Sequence, residues 1–351
     1  MAPIIHLRAE TKPFERRSPL TPETAKALIS AGYVVRVEES PDRIYRDSEF
    51  KAVGTEIVPA GSWVNAPLDN VILGLKELPA DGTPLPHTYI HFAHCFKKQD
   101  GWATELSRFA KAGAAFGFSA GFAGTALALL SWAHQILHPG VPQDKVPAFD
   151  SASELISRVR SSVAEALPLN NGKYPRLMII GALGRCGKGA IQCCVDAGIP
   201  EESVLKWDLP ETKRGGPFSE IVDVDVLLNC VYLGPHRIPP FITLDLLSTP
   251  ERRLRVICDV SCDPNNENNP IPVYSGYSSF DSPTIPASGK LDGPELRIIA
   301  IDHLPTMIAR EASDEYAGLL LPSLLTLRDR EKEGVWTRAE QTYRERVSEL
   351  P

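Results

Sequence analysis

Two stretches of this sequence bring together residue types that could do chemistry. The first is Met178-Ile-Ile-Gly181-Ala-Leu-Gly184-Arg185-Cys186-Gly187-Lys-Gly189. An apolar run enters a glycine cluster, and a helical pattern leaves it. Glycines let a backbone turn tightly and approach a phosphate, and a helix N-terminus offers free N–H groups to a pyrophosphate. The spacing is G-x-x-G-x-x-G, one residue longer than the common dinucleotide form. Asp208 follows 21 residues after Gly187, at the end of the next strand-like run, where an acid can bind a ribose 2′-hydroxyl. An acid there favours NAD over NADP, and the nearby Lys213 and Arg214 soften that preference. A merely structural glycine turn is the competing reading.

The second stretch is spread over the first hundred residues. Glu10-Thr-Lys-Pro-Phe-Glu15-Arg16-Arg17 follows a strand-like run, Lys76-Glu77 ends Val71 to Leu75, and His94 ends Tyr89 to Ala93. An Arg can fork onto a carboxylate, while Lys and His can exchange protons near neutral pH. Their shared place at strand ends is where α/β folds bind ligands. Taken singly, each has a plainer reading. Arg17 could pair with Glu15 or Glu10 at the surface, Lys76-Glu77 could be a solvated loop, and His91 and His94 could be core histidines.

The elements that must position these groups alternate. Strands are predicted at Ile4 to Arg8, Tyr33 to Val37, Val71 to Leu75 and Tyr89 to Ala93, with a helix opened by Thr21 as N-cap and Pro22 at its first position. A helix is expected from Gly101 to Ala112. Phe116-Gly-Phe-Ser-Ala-Gly-Phe-Ala-Gly suggests close backbone packing or a crossing between domains, and Ala126 to Leu137 an apolar helix. A second block runs from Arg176, with strands at Leu177 to Gly181, Val204 to Asp208, Val226 to Leu233, Val256 to Ser261 and Leu296 to Ile301. Helices at Arg310 to Leu327 and Trp336 to Leu350 close the chain and return to the first domain. Such alternation implies parallel βαβ units. The expected fold is α/β, with two Rossmann-like, doubly wound parallel-sheet domains and an active-site cleft between them. The substrate domain would comprise 1–120 plus 306–351, and the NAD-binding domain 121–305.

Composition narrows the function. The 351 residues carry 37 Lys and Arg against 44 Asp and Glu, a net charge of −7, so no basic excess exists to meet nucleic-acid phosphates. Seven cysteines lack any CxxC or His-rich spacing, which argues against a metal site or a disulfide scaffold. Cys186 and Cys230 both fall at strand ends near the glycine loop and are read as reduced thiols. The longest apolar runs, such as Thr125 to Trp132, are short for a membrane helix, and no secretory signal opens the chain. The expectation is a cytoplasmic protein of small-molecule partners, without nucleic acid or membrane, and a monomer.

The joined motifs resemble the saccharopine dehydrogenase family of the fungal lysine pathway, and more distantly the alanine dehydrogenase and transhydrogenase group. They are His6-Leu-Arg-Ala-Glu-Thr-Lys-Pro, Val58-Pro-Ala-Gly-Ser-Trp63, Gly74-Leu-Lys-Glu-Leu-Pro, Phe92-Ala-His-Cys, Ala115-Phe-Gly-Phe-Ser-Ala-Gly-Phe-Ala-Gly, Ile180-Gly-Ala-Leu-Gly-Arg-Cys-Gly, Arg214-Gly-Gly-Pro-Phe and Ile301-Asp-His-Leu-Pro. The resemblance implies saccharopine, NAD and water giving lysine, 2-oxoglutarate and NADH. It implies Lys76 as base and His94 as acid. Substrate contacts would fall to Arg17, Glu77, Gln99, Phe116, Ser261, Cys262 and Asp263. Besides Gly181 and Gly187, NAD contacts would fall to Gly184, Arg185, Asp208, Thr212, Tyr232, Val260, Ile301, Asp302, His303 and Leu304. In one respect the chain departs from the pattern. Family members carry a strand, a turn and an Arg pair where Lys111-Ala-Gly-Ala-Ala-Phe116 runs straight through. That gap of roughly 15–20 residues, the length of a strand with its turns, leaves two alternatives open: an NAD-binding paralogue that is non-catalytic or impaired, and an amino-acid dehydrogenase of alanine type.

Overall fold

The computed structural model describes residues 4–76, 78, 85–92, 117–231, 237–262, 264–266 and 268–348. The chain divides into two compact units. One comprises Met1–Phe116 with Ala309–Pro351, and the other Gly117–Ile308.

The sheet of the first unit has the order β3-β2-β1-β4-β5 and is parallel throughout. Its strands are β1 (Ile4–Leu7), β2 (Val34–Glu38), β3 (Glu56–Val58), β4 (Val71–Leu73) and β5 (Thr88–Ile90). Helix α1 (Pro22–Ser30) begins as the sequence suggests. Thr21 Oγ1 accepts from Thr24 N, and Thr24 returns the bond to Thr21 N, closing a capping box. Short α2 (Asp47–Ala52) and β3 have weak periodicity and were not expected. The core lies under the β1–β4 centre, where Ile5, Leu7, Val35, Val37 and Leu73 meet Leu28 of α1 and Tyr316 of the C-terminal part.

The second unit's sheet runs β10-β11-β9-β8-β6-β7. It comprises β6 (Leu177–Ile180), β7 (Val204–Trp207), β8 (Val226–Asn229), β9 (Val256–Asp259), β10 (Ile285–Pro286) and β11 (Arg297–Ile299). Only the β10–β11 pair is antiparallel. Every strand of the parallel part ends one to four residues sooner than the apolar runs suggest, because the chain turns out of the sheet where side chains of the strand-end loops begin.

Helix α3 (Phe118–Leu137) is 20 residues long, well beyond the expected Ala126 start. It is long and apolar enough to cross a membrane by length and composition, but 78% of its apolar window is buried inside the unit. An α-helix apolar all round is a core helix when other elements cover it. Here α4 (Ala152–Ala166) and α5 (Arg185–Ala197) do so. The glycines of the Phe-Gly segment explain the α3–α5 contact. A Cβ at Gly121 would stand 1.8 Å from the Cys186 carbonyl oxygen, and one at Gly189 would stand 2.0 Å from that of Phe118. The two helices therefore meet backbone to backbone within the second unit, and the chain passes from the first unit to the second at Phe116–Gly117, so the segment is both a close packing and a crossing. The chain closes with α6 (Ala309–Leu325) and α7 (Gly334–Val347).

Overpacking such a contact costs about 1–3 kcal/mol. Gly121→Ala should lower the unfolding free energy, read from urea titration, by that amount. Gly276→Ala, with open space around its Cβ, should leave it unchanged.

Candidate functional site

In the second unit, the fingerprint turn lies between β6 and α5. Gly181 has φ +88°, and a Cβ there would press on the Cys230 carbonyl at 2.8 Å. A Cβ at Gly187 would stand 2.2 Å from the Gly181 carbonyl oxygen. The loop thus closes only with glycine at both places. Gly184 is the N-cap and brings no side-chain oxygen to the first turn of α5. The head of this 13-residue helix thus carries no side-chain cap from Gly184, and a helix N-terminus favours an incoming anion. Arg185 and Leu183 stand exposed beside it. These features fit a dinucleotide pyrophosphate.

Asp208 follows β7 and does structural work as well. Its carboxylate accepts Leu183 N at 2.9 Å and Leu209 N at 2.8 Å, which ties the glycine loop to the end of β7. Thr212 Oγ1 donates to the Asp208 carbonyl at 2.9 Å. A carboxylate has about four lone-pair sites, so acceptor capacity remains for a ribose.

The other second-unit candidates follow the ends of neighbouring strands. Val260, Ser261 and Cys262 leave β9, and Ile301 to Leu304 leave β11. His303 Nδ1 lies 2.6 Å from Asp302 Oδ1, and its buried Nε2 has no hydrogen-bond partner among the described residues. Gly181, Gly184, Arg185, Gly187, Asp208, Thr212, Val260 to Cys262 and Ile301 to Leu304 thus gather along one sheet edge. Tyr232 and Asp263 lie outside the described residues.

Sequence reasoning missed the group that braces this edge. Buried Asp259 accepts Asn229 Nδ2 at 2.9 Å, Tyr274 Oη at 2.6 Å, and the N–H groups of Ser261 and Cys262 at 3.2 and 3.3 Å. Cys262 is held there at φ +52°. The one signal was an acid closing the apolar run Val256-Ile-Cys. Cys186 and Cys230 are both free thiols, and burial pushes the Cys230 thiol well up.

Among the described residues, the first unit shows no second dinucleotide cradle at β1. Its acid at the end of β2, Glu38, is fully buried and already accepts the N–H groups of Ala9, Gly61 and Trp63. The β1 end carries charge instead. Arg17 is buried and forks onto Glu15 through Nε at 2.7 Å and Nη2 at 2.5 Å. The pairing expected at the surface is therefore an interior one. Lys76, just beyond β4, is fully buried rather than part of a solvated loop. Glu10 accepts Leu75 N at 2.7 Å and Lys76 N at 2.9 Å. Burial raises the Glu10 carboxyl, against the pull of Arg8 and those two N–H groups. His91 is a core histidine, pushed down to about 3 by burial and by Arg8. Arg17 and Lys76 come to the same edge. Glu77, His94, Gln99 and Phe116 lie outside the described residues, as does the helix expected from Gly101 to Ala112.

Comparison with known proteins gives this geometry a family. Residues 6–118 match the model "Alanine dehydrogenase/PNT, N-terminal domain". The chain is 47% identical to a Schizosaccharomyces pombe "Saccharopine dehydrogenase [NAD(+), L-lysine-forming]", with all of both chains covered. It is 50% identical to the Emericella nidulans protein of that name, over 99% of this chain and 98% of the relative. In fold it is similar to a solved L-alanine dehydrogenase, with TM-score 0.64 and 16% identity over 99% of this chain and 100% of that one. The chain belongs to the saccharopine dehydrogenase (NAD+, L-lysine-forming) family. The S. pombe alignment spans 368 positions against 351 residues here, so at least 17 positions face no residue of this chain. The place where the sequence departs from the family pattern, near 113–115, lies outside the described residues.

A buried neutral His makes folding pH-dependent. The unfolded state takes a proton near pH 6.5, whereas the folded state resists until about pH 3. Stability is lost as pH falls through that window, at up to about 1.4 kcal/mol per unit. Urea unfolding at pH 7.5, 6 and 5 should show a steeper loss in the wild type than in His91→Gln, with a difference of about 2 kcal/mol by pH 5.

Proposed function

We propose that the chain is an NAD-dependent saccharopine dehydrogenase, interconverting saccharopine, NAD and water with lysine, 2-oxoglutarate and NADH in lysine biosynthesis. Full-length similarity to proteins of that name carries the reading. The glycine cradle of the second unit and the buried Lys76 of the first supply what the chemistry needs.

The chain's own residues would hold NAD, which would supply the hydride acceptor for the carbon that carries the substrate's secondary amine. The Gly181–Gly187 loop and the head of α5 would hold its pyrophosphate, and Asp208 its ribose. Lys76 Nζ would act as base, since a protonated amine has no lone pair to assist hydride loss. His94 would act as the partner acid in water addition and carbon–nitrogen cleavage, so that two groups of different basicity serve both directions. Arg17, held in plane by Glu15, would fork onto a substrate carboxylate. Glu77, Gln99, Phe116 and the Ser261–Asp263 turn would complete the substrate surface, and Tyr232, Val260 and Ile301–Leu304 the NAD surface. We place the protein in the cytoplasm as a monomer; the place rests on its odd number of cysteines.

The 17 or more unmatched positions favour one second reading, an NAD-binding member of the family without turnover. One assay separates them. NADH oxidation followed at 340 nm with lysine and 2-oxoglutarate should show turnover, lost by at least 100-fold in Lys76→Met. NADH binding without turnover would establish the second reading, and turnover with pyruvate and ammonia alone would establish an alanine-type enzyme.

A further inference from the structure

Lys76 lies just past the end of β4, where the sheet's own ladder stops holding the chain. The last ladder bonds run from Arg8 N to Leu73 O at 3.0 Å and from Gly74 N to Ile90 O at 3.0 Å. On the β5 side one more backbone bond follows, from Phe92 N to Leu75 O at 2.9 Å. On the β1 side, backbone gives way to side chains. Glu10 accepts both Leu75 N and Lys76 N, and Arg8 Nη2 donates to Lys76 O. Arg8 and Glu10 also face each other, with Nη2 to Oε2 at 3.4 Å. Their side chains are 1% and 7% exposed, so water does not compete for these bonds.

Gly74 makes the arrangement possible. A Cβ there would stand 2.4 Å from Arg8 Nε and 2.8 Å from Arg8 Cζ. The Arg8 guanidinium crosses the strand through the space that a side chain would take. Gly74 has no left-handed φ, so what it supplies is room and not a special backbone conformation.

We propose that Arg8 and Glu10 form a charged clamp on the Lys76 peptide, admitted by Gly74, and that the clamp sets where the Lys76 ammonium stands for proton transfer. Both are positioning residues, acting through the backbone of Lys76. The proposal rests on Lys76 being the base of the reading above. A buried carboxylate accepting two successive N–H groups fixes a peptide more firmly than a neutral acceptor does. Displacement of about 1 Å at a reacting group costs on the order of 100-fold in rate.

The test uses the full chain with Glu10→Gln, Glu10→Asp and Gly74→Ala. Glu10→Gln keeps the shape but turns an amide donor toward an N–H. Glu10→Asp keeps the charge. NADH affinity by fluorescence reports on the second unit and should stay within 2-fold in all three. Expected is a 10- to 100-fold fall in kcat for Glu10→Gln and Gly74→Ala, with KM for lysine changed less than 3-fold, and partial recovery in Glu10→Asp. The 13Cε resonance of Lys76, assigned with Lys76→Met in lysine-labelled protein, should shift in the same order. An unchanged kcat, or KM and kcat weakened together with NADH affinity, would overturn the clamp. If the wild type binds NADH but does not turn over, the functional reading fails separately. The Lys76 resonance then decides, and an unmoved signal in Glu10→Gln refutes the clamp.

Discussion

Everything in this protein that could do chemistry depends on one constraint of parallel sheets: all the strands end on the same edge. Where the strand order reverses, the loops leaving two adjacent strands go to opposite faces and open a crevice. In the first unit that point lies between β1 and β4, in an order of β3-β2-β1-β4-β5. The charged segment after β1 and the Lys76 segment after β4 meet there by topology alone. In the second unit it lies between β6 and β8, where the Gly181 turn presses against the Cys230 carbonyl. The two switch points are furnished differently. One has glycines, an uncapped helix head and an acid with spare acceptor capacity. The other, in the first unit, has among its described residues no cradle, a spent acid at Glu38 and a concentration of buried charge.

That buried charge needs its partners. Removing an ion from water costs several kcal/mol unless nearby groups compensate. The first unit meets the requirement locally: Glu15 with Arg17, Glu10 with Arg8 and two backbone N–H groups, and Glu38 with three. Arrangements this interdependent hold side chains in place, which a proton-transfer site needs and a purely apolar core does not supply. The second unit uses the same device at Asp259, to hold the turns that follow β8 and β9, and at Asp225, which accepts Arg176 N and pairs with Arg253.

Much of this was legible in the sequence. Thr21-Pro22 gave its cap because capping is local. The β6–α5 turn was legible because its glycines, the preceding apolar run and Asp208 all fall within one βαβ unit, β6–α5–β7. What escaped notice depends on contacts distant in sequence. Nothing near Arg17 says that its pairing with Glu15 is interior, since burial is decided by the rest of the unit. Nothing in Val256-Ile-Cys-Asp259 foretells Tyr274 as a partner. The start of α3 was placed eight residues late, because glycines weaken a helix reading and only the facing backbone of α5 explains them. Gly74 was quoted within a motif, but its purpose appears only when Arg8 lies across it.

The activity proposed for the chain is hydride transfer to a carbon bonded to nitrogen, with Lys76 as base. The most direct measurement is mass spectrometry of the product formed from lysine, 2-oxoglutarate and NADH deuterated at the transferring position. The expected result is saccharopine carrying one deuterium on the carbon that was the keto carbon of 2-oxoglutarate. Absence of that product, or deuterium found in another amino acid, would contradict the claim.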